Sequence, residues 1–162
     1  MSERTDSVRE ALRRRYCWPK YCYIEEAANG TGSHRGRLAD GLALAVWPSS
    51  GLWLYGFEIK VQRSDLLREL RDRQKWRAVG RYCDYWWLVV AAGVWRKTDD
   101  IPAAWGVMEA LPGNPHAGSE WQRMDQLVPR RRPRRQESEP LDRPFIAAIL
   151  RDGVRHGQPT KN

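Results

Sequence analysis

The chain has 162 residues, with 28 Lys and Arg against 20 Asp and Glu and a net charge of +8. That length fits one domain around a single core, and the basic excess points to a polyanionic partner more than to an acidic small substrate. No stretch approaches the ~18 consecutive apolar residues of a membrane span, and MSERTDSVREALRRR lacks the apolar segment of a secretory signal; the expectation is no membrane partner and a bacterial, or phage-infected host, cytoplasm.

Cys17, Cys22 and Cys83 are odd in number and spaced unlike a disulfide framework, so reduced thiols are expected. A zinc site from Cys17, Cys22 and His34 does not follow the recurrent ligand spacings. Of the nine tryptophans, Trp47, Trp53, Trp86 and Trp87 sit in apolar runs and read as core or sheet-face residues.

In chain order, Ser7 followed by Glu10 has the form of a capping box, and a helix is predicted from Asp6 to Tyr16. KYCYIEEAA reads as a strand, and NGTGSHRG as an exposed basic loop. RLADGLALAVW and LWLYGFEIKV read as two strands joined through PSSG. Ser64 can cap an amphipathic helix through DLLRELRDRQKWRAVGRY, and CDYWWLVVAA reads as a buried strand reached by a parallel crossover. AWGVMEAL is a further strand and GNPHAGSE a loop. PRRRPRRQESEP, without an apolar residue, reads as a solvated linker, and RPFIAAILRDGV as a short helix ending at Gly153. The fold class is therefore α/β, a mixed central β-sheet flanked by helices, with a main domain over 1–128, an Arg/Pro-rich linker or arm over 129–140, and a C-terminal helix and tail over 141–162.

The hairpin carries the chemistry. A register centred between Ser49 and Ser50 has paired positions summing to 99, which sets Glu58 opposite Gly41 and beside Asp40; a turn shifted by one residue puts both acids on one face. Glu58 and Lys60, two apart on a strand, share a face. Two converging carboxylates call for a cation, and hard oxygen ligands favour Mg²⁺ or Mn²⁺, with the backbone carbonyl of Ile59 as a further ligand. A cation there acidifies water for attack on a phosphodiester, while the neighbouring lysine orients that water or offsets charge. The plain alternative, a strand-end carboxylate and an exposed cross-strand ion pair, leaves polar residues inside apolar strands unexplained.

Asp40 followed on the next strand by EIK at 58–60 resembles the PD-(D/E)XK nuclease superfamily. RLADGLAL, GFEIKVQRSDL, DRQKW, YCDYWWLVV and IPAAWGVME, in that order over roughly residues 35–110, are similar to its MmcB-like branch, associated with bacterial DNA repair. The resemblance implies a restriction-endonuclease-like core and Asp40, Glu58 and Lys60 as the catalytic set. Glu10 resembles the first-helix acid that serves as an extra metal ligand in the superfamily, with Glu25 and Glu26 as further candidates, and Gln74 and Lys75 occupy the helix that touches phosphate in relatives. Asp65, Asp72 and Asp84 match the pattern as caps and hydrogen-bond partners.

His34, Arg35 and Arg37 would bring positive charge to the mouth of the site, and Arg130, Arg131 and Arg132 would extend a phosphate footprint. The expected activity is metal-dependent endonuclease or nickase chemistry on DNA, in repair, recombination or phage DNA processing, with a preference for structure or ends over base sequence. A non-catalytic DNA-binding accessory of the same fold is the rival, and a protein whose basic arm binds RNA or an acidic partner the third reading. A homodimer is an expectation of the resemblance alone.

Overall fold

A computed structural model describes residues 3–30, 36, 38–72 and 74–157. Six strands, β1 (Tyr21–Ala28), β2 (Leu38–Ala45), β3 (Leu54–Lys60), β4 (Tyr85–Ala91), β5 (Gly106–Leu111) and β6 (Gln126–Arg131), form one sheet in sequence order. The pairs β3·β4 and β4·β5 are parallel and the other three antiparallel. The expected mixed α/β class is what the chain adopts. No described helix is long and apolar enough to cross a membrane.

Helices cover both faces. On one, Val8 and Leu12 of α1 (Glu3–Arg15) pack against Phe57, Ile59, Trp87, Val89 and Met108. On the other, Leu66 of α2 (Arg63–Arg71), Val79 of α3 (Arg77–Gly80) and Phe145 of α5 (Arg143–Gly157) cover Leu42, Leu54, Trp86, Leu88 and Val90. A further short helix, α4 (Glu120–Arg123), follows the loop GNPHAGSE, sharing only Glu120 with it. The alternation assigns faces over most of these strands: Leu42, Leu54 and Gly56 point toward α2 and α5, and Ala43, Phe57 and Ile59 toward α1, while Ala39, at the start of β2, packs on the α2 and α5 side. Gly56 has no room for a side chain, because a Cβ there would lie 2.3 Å from the Trp86 ring.

Several local expectations yield to tertiary contacts. Ser7 lies inside α1 and does not cap it; its hydroxyl donates to Asp125, whose other carboxylate oxygen accepts from the Gly113 amide at 3.1 Å. Ser64 likewise falls inside α2, whose N-cap is Gln62. The single helix expected over 65–82 is broken after Asp72. A continuous helix would carry Trp76 about 80° off the line of Leu66, whereas the break turns Trp76 inward onto Trp86 and Trp105, each with ring centroids 5.7 Å away. Trp86 and Trp87 are buried as expected, but Trp47 is exposed.

The Arg/Pro-rich segment is a correction of the same kind. Its start belongs to β6, with Pro129 and Arg131 paired to β5. Beyond it the Arg134 amide donates to Ala104 at 2.9 Å, the Gln136 amide to the Asp84 carbonyl at 2.9 Å, and the Glu139 amide to Arg81 at 2.8 Å. Asp84 is the fastening point: its carboxylate accepts from the Leu54 amide at 2.9 Å and from the Ser138 hydroxyl at 3.2 Å. Residues 129–140 therefore stitch the sheet to α5 and do not form a free arm. Nor does α5 end at Gly153; Asp152, buried, accepts from the Ala28 amide at 3.3 Å and keeps the last turns against β1.

Candidate active site

The connection between β2 and β3 is a 3-10 turn at Pro48–Ser50 closed by Gly51 at φ 78. It is longer than a two-residue hairpin loop, and it shifts the register: Gly41 pairs with Phe57 and Leu44 with Leu54, so paired numbers sum to 98 where 99 was expected. One residue beyond the last described pair, Asp40 therefore stands opposite Glu58. Glu58 is on the face of Leu54 and Lys60 follows it there, while the alternation of β2 breaks at Asp40: Ala39 and Leu42 both pack on that side, and Arg9 approaches Asp40 from the other. The shifted turn, left open by the sequence, is the arrangement that brings the acids together.

The strands part at this point. The Ala45 amide donates to Trp53 at 3.0 Å, so the odd-numbered pairs are the hydrogen-bonded ones, and the next in line would join Ile59 to Ala39. Instead the Ile59 amide donates to the Asp40 carboxylate at 2.7 Å. The Ile59 carbonyl leaves its strand on the same side as that amide, toward the Asp40 carboxylate. On the far side of β2, the pairs Glu25↔Gly41 and Ala27↔Ala39 set Glu26 beside Asp40. Glu26 takes φ 50, a left-handed conformation costing a non-glycine residue on the order of 1 kcal/mol. One rung of the sheet thus carries three acids, Glu26, Asp40 and Glu58.

Cations interleave with them. The Lys60 ammonium donates to Glu58 and lies 3.2 Å from Glu69 of α2, and Lys75 donates to the same Glu69 oxygen at 2.7 Å. From the other face Arg9, buried in α1, reaches Glu26 at 3.0 Å, Glu25 at 3.8 Å and Asp40 at 4.0 Å. Burial, followed by the charge of Asp40, pushes the Glu58 carboxyl up to about 7 despite Lys60. Burial pulls Lys60 down, but Glu58, Glu69 and Asp40 outweigh it and hold it above the ordinary lysine value. Glu69 is held below its ordinary value, its burial overcome by the hydrogen bonds from Lys75 and Lys60. A cleft of about 500 Å³, lined by Lys60, Glu69, Asp72, Lys75, Asp65 and Arg68 among others, opens beside the network.

Asp40, Glu58, Lys60 and Lys75 are thus brought together, with Ile59 at the parting of the strands. Glu10 is not: its exposed carboxylate is engaged by Arg13 at 2.5 Å and Arg14 at 3.8 Å, and it connects to Asp40 only through Arg13, Glu25 and Arg9. Gln74 accepts from Arg77 at 3.2 Å and lines a different cleft, beside Trp76 and Arg81. Arg130 pairs with Glu109 at 2.8 Å and Arg131 donates to the Trp105 and Pro102 carbonyls, while Arg132 is exposed; β6 is separated from β3 by two strands, so these arginines stand apart from the acids. His34, Arg35 and Arg37 lie outside the described residues. Cys17 and Cys22 are free and exposed.

Arg9 and Glu69 were missed by sequence reasoning. Both look like ordinary helix residues in the linear pattern, and the available signal was that each lies on the buried line of its helix, Arg9 next to Val8 and Glu69 three residues after Leu66. Gly41 leaves room for Tyr23, whose hydroxyl would lie 2.7 Å from a Cβ there.

Among the described residues no group of three or more His, Cys, Asp and Glu is arranged to hold a metal ion. Two carboxylates, Asp40 and Glu58, lie close enough for burial and then the charge of Asp40 to raise the Glu58 carboxyl. Asp40 and Glu58 are the residues that could hold Mg²⁺ or Mn²⁺.

No family model and no curated protein matches this chain. Among solved structures it is similar to the SPO1766 protein of unknown function from Silicibacter pomeroyi, with 17% identity and a TM-score of 0.55, covering 94% of this chain and 82% of that one. At that identity the likeness is one of fold alone.

Proposed function

We propose that the chain is a divalent-metal-dependent endonuclease or nickase acting on DNA, built on a restriction-endonuclease-like core. The observation that carries this reading is the rung on which Asp40 and Glu58 stand opposite each other across parting strands, with Lys60 next on the face of Glu58. A divalent cation held by Asp40 and Glu58 would supply charge stabilisation to the phosphodiester and lower the pKa of an attacking water. Asp40 is held in place by the Ile59 amide, so its orientation does not depend on a cation. Burial and then Asp40 push the Glu58 carboxyl up to about 7, so it would have to give up its proton to serve as a ligand. Lys60, between Glu58 and Glu69, remains an ammonium; it can therefore orient the water and offset charge in the transition state, and is unsuited to removing a proton. Lys75, anchored on Glu69 at the edge of the cleft, is placed to contact the phosphate chain.

One observation favours the rival, a DNA-binding accessory that keeps the fold without the chemistry: Lys60 and Arg9 already neutralise Glu58 and Asp40 internally. Incubation of supercoiled plasmid with Mg²⁺ separates the two. The hydrolase reading expects nicking by the wild type, lost by at least about 100-fold in Lys60→Ala and Asp40→Asn. Wild-type protein that shifts the plasmid on a gel and never nicks it establishes the rival.

A further inference from the structure

We infer that the groove between the C-terminal turn of α1 and β1 is a binding site for single-stranded nucleic acid, taken up by stacking of unpaired bases. The sequence there, RRRYCWPKYCY over residues 13–23, interleaves four cations with four aromatic rings, the composition that single-strand binders use: rings for base faces, cations for the backbone. The fold turns this run into a surface. A cleft of about 550 Å³ is lined by Arg13, Tyr16, Trp18, Tyr21, Tyr23 and Glu25, together with Cys17 and Cys22.

Trp18 is 72% exposed, the most exposed large apolar side chain described. Its indole stands open to water beside further aromatic rings, where an unpaired base can stack on it. Its loop is braced from the neighbouring strand connection, where the Trp47 indole donates to the Pro19 carbonyl at 2.7 Å and is itself half exposed. Behind it the rings form a fixed wall: Tyr16 meets Tyr21 edge-on at 5.0 Å, Tyr21 meets Tyr55 at 5.9 Å, and Tyr55 stacks on Tyr85 at 5.2 Å. Lys20 lies over the Tyr21 ring at 5.4 Å, and Arg13 and Arg15 are exposed on the helix above.

The groove also has a direction. Tyr21, Tyr23 and Glu25 share one face of β1, opposite the small residues Ala45, Ala43 and Gly41 of β2. One turn before Arg13 on α1, Arg9 reaches Asp40. A strand lying along the groove from Trp18 is thus led along the α1 face toward Glu25, Glu26 and Asp40, while Glu58 and Lys60 project from the opposite face. That last connection rests on the hydrolase reading; the groove itself does not.

Both can be tested separately by working in EDTA, where no hydrolysis occurs. Fluorescence anisotropy is measured with labelled oligothymidylate and oligouridylate of about a dozen nucleotides and with a blunt duplex of the same length. Single strands should bind more tightly than duplex, and whichever of the two binds better names the sugar. Trp18→Ala should weaken single-strand binding roughly 5- to 100-fold while leaving duplex binding unchanged, and Trp18→Phe should restore most of it. Bound single strand should also slow maleimide labelling of Cys17 and Cys22, which are exposed while Cys83 is buried. Unchanged single-strand affinity in Trp18→Ala, or equal thiol labelling with and without oligonucleotide, overturns the groove even if plasmid is nicked. A stacking groove that behaves as expected in a protein that never cuts overturns only the hydrolase reading.

Discussion

Glu58→Gln isolates the electrostatics on which the candidate site depends. Glutamine keeps the shape and accepts from Lys60, but it cannot ionise. In the folded wild type the Glu58 carboxyl is pushed up to about 7 from an ordinary 4.5, by burial and then by Asp40. Folding therefore favours the protonated acid. Its stabilising effect is fully present below pH 4.5 and is lost as the pH rises through about 7. Relative to wild type, Glu58→Gln should gain about 2 to 3 kcal/mol between pH 5 and pH 8, at about 1.4 kcal/mol per pH unit over the steep part. Urea unfolding followed by tryptophan fluorescence in EDTA, at pH 5, 6, 7 and 8, measures this directly, and unchanged m-values license the comparison. Excess Mg²⁺ at pH 8 should stabilise the wild type and not the variant, narrowing the gap. A stability difference that stays flat with pH would show that Glu58 is not buried against Asp40, and the shared-cation argument would go with it.

Asp84→Ala removes the carboxylate that holds the Leu54 amide and Ser138, leaving the β3 amide unpaired in the core; a loss of about 2 to 4 kcal/mol is expected, with faster proteolysis within 129–140, and unaltered protease resistance there would contradict the fastened description of that segment. Gly56→Ala places a Cβ 2.3 Å from the Trp86 ring and 3.0 Å from the Cys83 sulfur; a loss of about 1 to 3 kcal/mol by urea unfolding is expected, and a neutral result would mean Trp86 does not lie over that glycine.

The face shared by Glu58 and Lys60 was legible from spacing, because strand periodicity is a property of the backbone. So were β1 to β5, from runs of apolar and β-branched residues bounded by turn chemistry. The alignment of Asp40 with Glu58 was not. It depends on how many residues the 48–50 turn consumes, and a one-residue slip leaves local propensity almost unchanged while moving every side chain.

Sequence by itself determined what acts over a few residues: the helical spacing of α1, the alternation that puts Glu58 and Lys60 on one side, the positive charge and its interleaving with aromatics near residues 13–23. Tertiary structure alone decided what depends on partners far along the chain. It drew Ser7 to Asp125, folded Trp76 between Trp86 and Trp105, fastened the Arg-rich segment to Asp84, and set Arg9 and Glu69 against the acids. The physical reason is that a buried polar group must find a partner, and an apolar ring its burial, wherever the packed fold supplies them. Those demands outweigh the roughly 1 kcal/mol by which local preference favours a cap or a continuous helix.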